Sequence, residues 1–225
     1  MQASGEEVVT GLFEIHVFVL PLDPPPEVVQ AFRAACGGHM KALLLNLDYV
    51  GKGFVGVLQT SRYVKGDVAS ARAAAAADAA ALRAAGLEVV REKVEAVATC
   101  EGVPRDAADA ERSPPDRYFE THVLIDRPAG VIDDADVASL RDIAADLSRR
   151  LATPVPLSYN ALKPGQRFLN FRARGVGLDV VADRLRALEA AVANIDGLVV
   201  KKVIAEYICF DSNRAVDDGW LEPLP

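Results

Sequence analysis

The 225-residue chain has few of the residues from which metal centres and disulfide frameworks are built. It contains three cysteines and three histidines, and Cys36, Cys100 and Cys209 lack the paired spacing of a zinc site. An odd number of thiols fits a reducing compartment better than a disulfide scaffold, so we interpret them as small buried hydrophobic residues. No uncharged apolar run reaches the length that spans a bilayer, and the acidic start "MQASGEEVVTG" lacks the basic residues of a secretory signal. The sequence therefore predicts a cytoplasmic protein without a membrane partner.

Several motifs of well-known enzyme classes are also missing. There is no Gly-x-Ser-x-Gly nucleophile elbow, no Gly-x-x-x-x-Gly-Lys-Ser/Thr nucleotide loop and no His-x-x-x-His pair on a helix. The net charge of −7 argues against a nucleic-acid partner held by bulk electrostatics. The 51% of apolar residues is enough to form a sizeable core.

Two of the three histidines lie in stretches that resemble each other. "FEIHVFV" begins at Phe13 and "YFETHVLI" begins at Tyr118. Aligning Glu14 with Glu120 and His16 with His122 gives one constant offset of 106 residues, close to half the chain. Such self-similarity indicates a duplicated module.

The pattern of strands and helices repeats with the same period. Alternating apolar residues predict strands, and proline starts, acidic first turns and glycine stops predict helices between them. Each half gives the order strand, helix, strand, strand, helix, strand. The expected fold class is α+β, with two tandem ferredoxin-like (βαββαβ) modules that form one pseudo-twofold body around a polar cleft between antiparallel sheets.

The predicted modules cover residues 10–99 and 117–211. The polar, proline-bearing segment 100–116 is typical of an exposed linker, and residues 212–225 are predicted to form a tail that Trp220 packs against the body. Asp211, Asn213, Asp217 and Asp218 superficially suggest a calcium loop, but their spacing favours a solvated turn.

Polar side chains alternate with the apolar rows of the strands and so should face away from the helices. In the two first strands these are Glu14, His16, Glu120 and His122, which we predict as catalytic residues. Other strands should bring further polar groups to the same cleft as ligand-binding residues, namely Lys93, Glu95, Asn160, Arg172, Lys202 and Glu206. A solvated polar row and surface ion pairs are the simpler alternative for the same residues.

One strand histidine in each half of a duplicated chain resembles the two-histidine phosphoesterases, in which paired histidines act as general acid and base. The match is limited to His16 and His122, because the hydroxyl residue of the His-x-Thr/Ser motif is replaced by Phe18 and Leu124. The combination of "FEIH", "YFETH", "LSYNALK" and "EYICFDSN" is similar to a family of uncharacterised bacterial proteins with duplicated FExH modules. That second resemblance spans the chain but implies no activity.

From these residues we expect an enzyme that acts on a small anionic molecule, bearing phosphate or carboxylate, by paired-histidine acid/base chemistry. The resemblance suggests a phosphoesterase-like hydrolase, although the residues alone leave open whether the protein is an enzyme. One alternative is a metal-dependent enzyme with His and Glu ligands. The other is a non-catalytic module for small-ligand binding or interaction. No cofactor is required by the sequence, which leaves room for a divalent metal; the oligomeric state stays open.

Overall fold

The fold is known from a computed structural model, which describes residues 8–49 and 51–221. Within these ranges it contains eight strands: β1 (Thr10–Leu20), β2 (Lys41–Tyr49), β3 (Gly53–Asp67), β4 (Glu88–Val97), β5 (Tyr118–Asp126), β6 (Leu157–Asn160), β7 (Gln166–Arg174) and β8 (Val199–Asp211). The helices are α1 (Pro26–Cys36), α2 (Val68–Ala84), α3 (Ala107–Arg112), α4 (Asp134–Leu151) and α5 (Leu178–Val192), followed by a 3-10 turn over Arg214–Asp217. The chain is thus a mixed α+β protein in which the order βαββαβ occurs twice, as predicted.

Local sequence explains where the helices begin and end. Helix α1 starts with Pro26 and ends at Gly37, whose φ of 57° favours glycine. Helix α2 begins after Asp67, whose side chain accepts a hydrogen bond from the Ser70 backbone N–H. Asp133 caps α4 in the same way, through the backbone N–H of Asp136. These residues therefore fix where the helices begin or end.

All eight strands form one closed antiparallel barrel in the order β1-β3-β2-β6-β7-β5-β8-β4. The first half of the chain supplies four consecutive strands of the barrel and the second half supplies the other four. The halves join at two seams, where β2 pairs with β6 and β4 pairs with β8. The expected cleft between two separate sheets is therefore corrected to the interior of a closed barrel, because these seams pair the edge strands that two separate sheets would leave open.

The apolar core lies between the barrel and the helices on its outside. Phe13 and Ile15 of β1 are fully buried against Ala71 and Ala75 of α2. In the second half, the buried face of β5 and β7 packs against Leu140 of α4 and other apolar residues of α4 and α5. Since side chains alternate along a strand, this outer packing turns the neighbouring residues Glu14 and His16 into the barrel.

The segment predicted as a loop-like linker contains helix α3 and the buried residues Cys100 and Val103. The division of the chain into two modules around 100–116, and their origin by duplication, stay predictions. All three cysteines are buried free thiols, as expected. Within residues 8–49 and 51–221, no helix is both long and apolar enough to cross a membrane.

Candidate functional site

The barrel interior contains a cavity of about 270 Å³. Every one of the eight strands contributes at least one side chain to its wall, and the C-terminal segment adds Asp217 and Trp220. This volume lies just below the usual range of pockets for small molecules. The cavity can therefore accommodate a compact organic molecule.

Nine of the ten residues predicted from the sequence line this cavity: Glu14, His16, Lys93, Glu95, Glu120, His122, Asn160, Lys202 and Glu206. The tenth, Arg172, lies beside it and contacts the Glu120 carboxylate at 2.9 Å. The structure thus brings together residues from both halves of the chain. Their catalytic and binding roles stay predictions.

The first histidine is held on both ring nitrogens. His16 Nδ1 donates a hydrogen bond to the Thr60 carbonyl oxygen at 2.6 Å. Its Nε2 lies 3.4 Å from a carboxylate oxygen of Glu95 and 3.8 Å from one of Glu14. Burial disfavours the charged imidazolium, but Glu95 and Glu14 outweigh it and raise the pKa of His16. His16 is therefore a positively charged or proton-sharing member of a buried cluster.

The second histidine has a corresponding arrangement. His122 Nδ1 lies 2.7 Å from the side-chain oxygen of Asn170, whose amide nitrogen is fixed by Ser158 at 3.1 Å. His122 Nε2 faces the cavity, 3.7 Å from Glu120 and 3.8 Å from Glu206. Each histidine thus has a glutamate two residues earlier and another on the last strand of its half. The repeated Glu-x-His therefore has a similar arrangement in both halves, although the Nδ1 partner is a backbone carbonyl at His16 and a side-chain amide at His122.

Ion pairs connect the two clusters across the barrel. Lys93 Nζ lies 2.6 Å from Glu95 and 2.8 Å from Glu120. Burial opposes the charge of both carboxyl groups. Lys93 and His16 nevertheless hold the pKa of Glu95 below the ordinary range, and Lys93 and Arg172 do the same for Glu120. Arg172 is the second cation at Glu120. These carboxylates are therefore ionised, and Lys93 is fully engaged.

Glu206 behaves differently from the other interior carboxyl groups. Burial raises its pKa well above the ordinary range, and the nearby charges of Glu95 and Glu14 raise it further. Its hydrogen bond with Glu95 raises the pKa as well. The positive charge of Lys93 lowers the pKa of Glu206 but offsets this rise only in part. Glu206 therefore holds its proton more tightly than an exposed glutamate does.

The C-terminal segment adds a buried carboxylate to this ion-pair network. The sequence did not predict this role. Asp217 is 1% exposed and binds two guanidinium groups. Arg91 donates to it at 2.9 Å, and Arg172 also donates to it. Asp211 accepts from Arg91 at 2.8 Å. The expectation of a solvated turn was thus wrong for both aspartates. The predicted packing of the tail by Trp220 is confirmed, since its indole N–H donates to the Leu157 carbonyl oxygen.

One side of the cavity is apolar. Strand β2 contributes three leucines of a single alternating row, and aromatic side chains face the cavity from other elements: Leu43, Leu45, Leu47, Phe18, Phe168 and Trp220. The stretch "KALLLNL" shows no alternation of apolar and polar residues, because both faces of β2 carry leucine. The cavity is thus amphipathic, with charges on one side and hydrocarbon on the other.

Comparisons with known proteins give only distant matches. The sequence matches no protein-family model and no curated protein. A protein from Fusobacterium nucleatum, whose description assigns it provisionally to the monooxygenases, has a similar fold with 12% identity, TM-score 0.37, and coverage of 96% of this chain and 98% of its own. An aldoxime dehydratase in complex with butyraldoxime has 12% identity, TM-score 0.42, and coverage of 91% and 83%. A heme-binding protein from Thermus thermophilus has 12% identity, TM-score 0.33, and coverage of 91% and 94%. We transfer no activity from likenesses at this level.

These findings correct the functional prediction. None of the three structures is a two-histidine phosphoesterase, and the expected paired-histidine acid/base chemistry is corrected by the geometry of the site. The structure supplies a physical reason. Lys93, Arg172 and Arg91 each already contact two carboxylates, and His16 has no free ring nitrogen. These three cations and His16 are therefore already engaged, and the other two lysines of the cavity lining, Lys41 and Lys202, are exposed to solvent.

The cofactor prediction is corrected as well. The Thermus thermophilus protein is described as heme-binding, and none of the three descriptions names a divalent cation. Among residues 8–49 and 51–221, no group of three or more His, Cys, Asp or Glu side chains has an arrangement that could hold a metal ion. The metal-dependent alternative is therefore also unsupported.

Heme does not fit the residues of this chain either. Among the described histidines, His39 lies on the surface, His16 is engaged at both nitrogens, and His122 Nε2 faces two carboxyl groups. The cysteines are in the outer core, where burial raises the pKa of the Cys36 thiol to about 11 and of the Cys209 thiol to about 12 and so opposes thiolate ligation. A cavity of about 270 Å³ is also small for a porphyrin macrocycle.

Proposed function

We propose that the barrel interior binds a compact organic cation, such as a protonated amine with a short apolar tail. The observation that supports this most strongly is the excess of carboxyl groups at the cavity. In the described part of the chain, six carboxyl groups meet three permanent cations and the imidazole of His16 in the interior network: Glu14, Glu95, Glu120, Glu206, Asp211 and Asp217 against Arg91, Lys93, Arg172 and His16. Lys41 and Lys202 also line the cavity, but both are exposed to solvent.

The state of Glu206 supports a cationic ligand in particular. Its proton is held more tightly than usual because burial and the charges of Glu95 and Glu14 raise the pKa of its carboxyl group. A ligand cation beside Glu206 would remove that penalty and allow the carboxyl group to ionise. Binding should then form a charge-assisted hydrogen bond inside a cavity of low dielectric constant.

The rest of the cavity supports a short apolar tail. Leu43, Leu45 and Leu47 face the charged side, so a ligand with one polar end can bury its hydrocarbon against β2. A ligand that carries a carboxylate in place of the amine would instead face Glu14 and Glu206.

Three probes of equal tail length test this proposal: n-butylamine, n-butanol and butyrate. We expect n-butylamine to raise the melting temperature at pH 7, n-butanol to raise it less, and butyrate to leave it unchanged. Stabilisation by butyrate that equals or exceeds that by n-butylamine would overturn the proposal, as would the absence of any response to the amine.

Calorimetry in two buffers gives a sharper test. If the amine displaces the proton of Glu206, the observed binding enthalpy will depend on the ionisation enthalpy of the buffer. Glu206→Gln removes this proton, so the dependence should disappear in the variant. Glu88→Gln is the matched control, because Glu88 is an exposed carboxylate at the end of β4, and it should retain the wild-type behaviour.

A further inference from the structure

The C-terminal segment supplies one carboxylate to a pair of arginines that come from opposite halves of the barrel. Arg91 lies on β4 and Arg172 lies on β7. Arg91 contacts both carboxylate oxygens of Asp217, at 2.9 and 2.8 Å, and Arg172 donates to the second oxygen. Two guanidinium groups that converge on one carboxylate form a strong anion site.

The segment that carries Asp217 is fixed by contacts on either side of it. Tyr49 donates its hydroxyl hydrogen to the Val216 carbonyl oxygen at 2.9 Å. Trp220 donates its indole hydrogen to the Leu157 carbonyl oxygen at 3.2 Å, and Trp220 and Leu221 pack with Leu47 in a buried apolar cluster. These contacts come from both halves of the barrel and hold the Asp217 carboxylate at the cavity wall.

We propose that Asp217 determines the ligand charge that the cavity selects, because it occupies the arginine pair as a built-in carboxylate. This inference rests on the proposed cation-binding function. With Asp217 in place, the arginines cannot attract an external anion and the interior keeps its excess of carboxyl groups. Without it, each guanidinium loses one carboxylate partner, while Arg91 retains Asp211 and Arg172 retains Glu120.

Chemical rescue tests the occupied anion site directly. In Asp217→Ala the side chain is shortened to a methyl group, and sodium formate can supply a carboxylate in its place. We expect formate to raise the melting temperature of the variant by about 2–4 °C more than sodium chloride does at the same concentration. Wild-type protein and Asp218→Ala should respond equally to the two salts, because Asp218 is the exposed neighbour of Asp217.

Equal effects of formate and chloride on Asp217→Ala would overturn the proposal. If the variant is unfolded without added salt, the same comparison is made by refolding: recovery in formate alone supports the arginine site, and no recovery, or equal recovery in both salts, overturns it. This test needs no cationic ligand and therefore separates the failure of this inference from the failure of the proposed function.

The selectivity part of the inference has its own measurement. Asp217→Asn keeps the shape of the side chain but removes its charge. We expect it to weaken n-butylamine binding roughly 10-fold, as expected for the loss of one charge near a cation in a partly buried site. Asp218→Asn should bind as the wild type does. Wild-type amine affinity in Asp217→Asn would exclude Asp217 as the residue that sets the preferred charge.

Discussion

Lys93 and Ile204 occupy equivalent positions in the two halves of the barrel. Lys93 is the cross-strand partner of His16 between β1 and β4, and Ile204 is the cross-strand partner of His122 between β5 and β8. The cation therefore lies next to Glu95 and Glu120, at 2.6 and 2.8 Å, whereas Glu206 has a hydrocarbon neighbour in the corresponding place. This difference contributes to the opposite pKa shifts of the two groups: burial, Glu95 and Glu14 raise the pKa of Glu206, whereas Lys93 and His16 outweigh burial and lower that of Glu95.

The first prediction concerns the stability of Glu206→Gln. Because the folded-state pKa of Glu206 is raised, the native protein holds this proton more tightly than the unfolded chain does. Its contribution to stability is therefore lost as the pH rises from about 4.3, the unfolded value, through the folded pKa. Gln cannot ionise, so the variant should be more stable than the wild type at pH 8, by about 1–3 kcal/mol.

Urea unfolding between pH 5 and pH 9 measures this difference. The gap between Glu206→Gln and the wild type should widen with pH, and Glu88→Gln should show no such trend. A variant that is less stable than the wild type across this range would contradict the protonated state of Glu206.

The second prediction concerns Ile204→Lys, which places a cation at the position equivalent to Lys93. In Ile204→Lys the new ammonium group should lie near Glu206 and favour its carboxylate, so that proton release on amine binding disappears. The added positive charge should also weaken binding of n-butylamine by roughly 10-fold. Ile204→Met keeps an apolar side chain of similar volume and is the control. If both variants bind the amine equally, the charge balance of the cavity does not control its ligand.

Alternation along a strand reveals which side chains share a face but not which strands pair at a seam. The rows that contain Glu14, His16, Glu120 and His122 were predicted correctly, because each row opposes an apolar row that packs against helices. The barrel was not predicted, since its closure depends on the β2–β6 and β4–β8 seams. The residue pattern of those strands does not indicate which strand each one pairs with at the seam.

The role of Asp217 was hidden for a different reason. It lies in a short polar segment, "DSNRAVDDGW", whose composition is typical of a solvated turn. Its burial depends on Arg91 and Arg172, which are 126 and 45 residues away in the chain. Trp220 was the one signal in the tail that indicated packing against the body. The charge balance of the cavity was hidden as well, because cations and carboxylates can be counted from the sequence but their pairing cannot.

The third prediction tests the central ion pairs. Lys93→Met removes the cation that Glu95 and Glu120 share, and leaves buried carboxylates without it. We expect a loss of about 3–5 kcal/mol in the free energy of unfolding at pH 7. Acidification towards pH 5 should recover part of this loss, because protonation removes the buried negative charge. Lys52→Met is a control, because Lys52 is exposed. A Lys93→Met variant as stable as the wild type would show that the ion pairs are not needed for the barrel.

The last prediction follows from the raised pKa of His16. A raised histidine pKa stabilises the folded state below the unfolded value of about 6.5, and this contribution is lost as the pH rises through the folded pKa. His16→Gln can keep the hydrogen bond to the Thr60 carbonyl oxygen but cannot carry the charge that faces Glu95. The variant should therefore be less stable than the wild type by about 1.5–3 kcal/mol near pH 6, and the difference should shrink towards pH 9. His39→Gln is the matched control, because the His39 side chain is 57% exposed, and its effect should be small at every pH. A difference between His16→Gln and the wild type that is constant with pH would mean that His16 acts through packing and hydrogen bonding alone, and the first Glu-x-His would then not be a charged cluster.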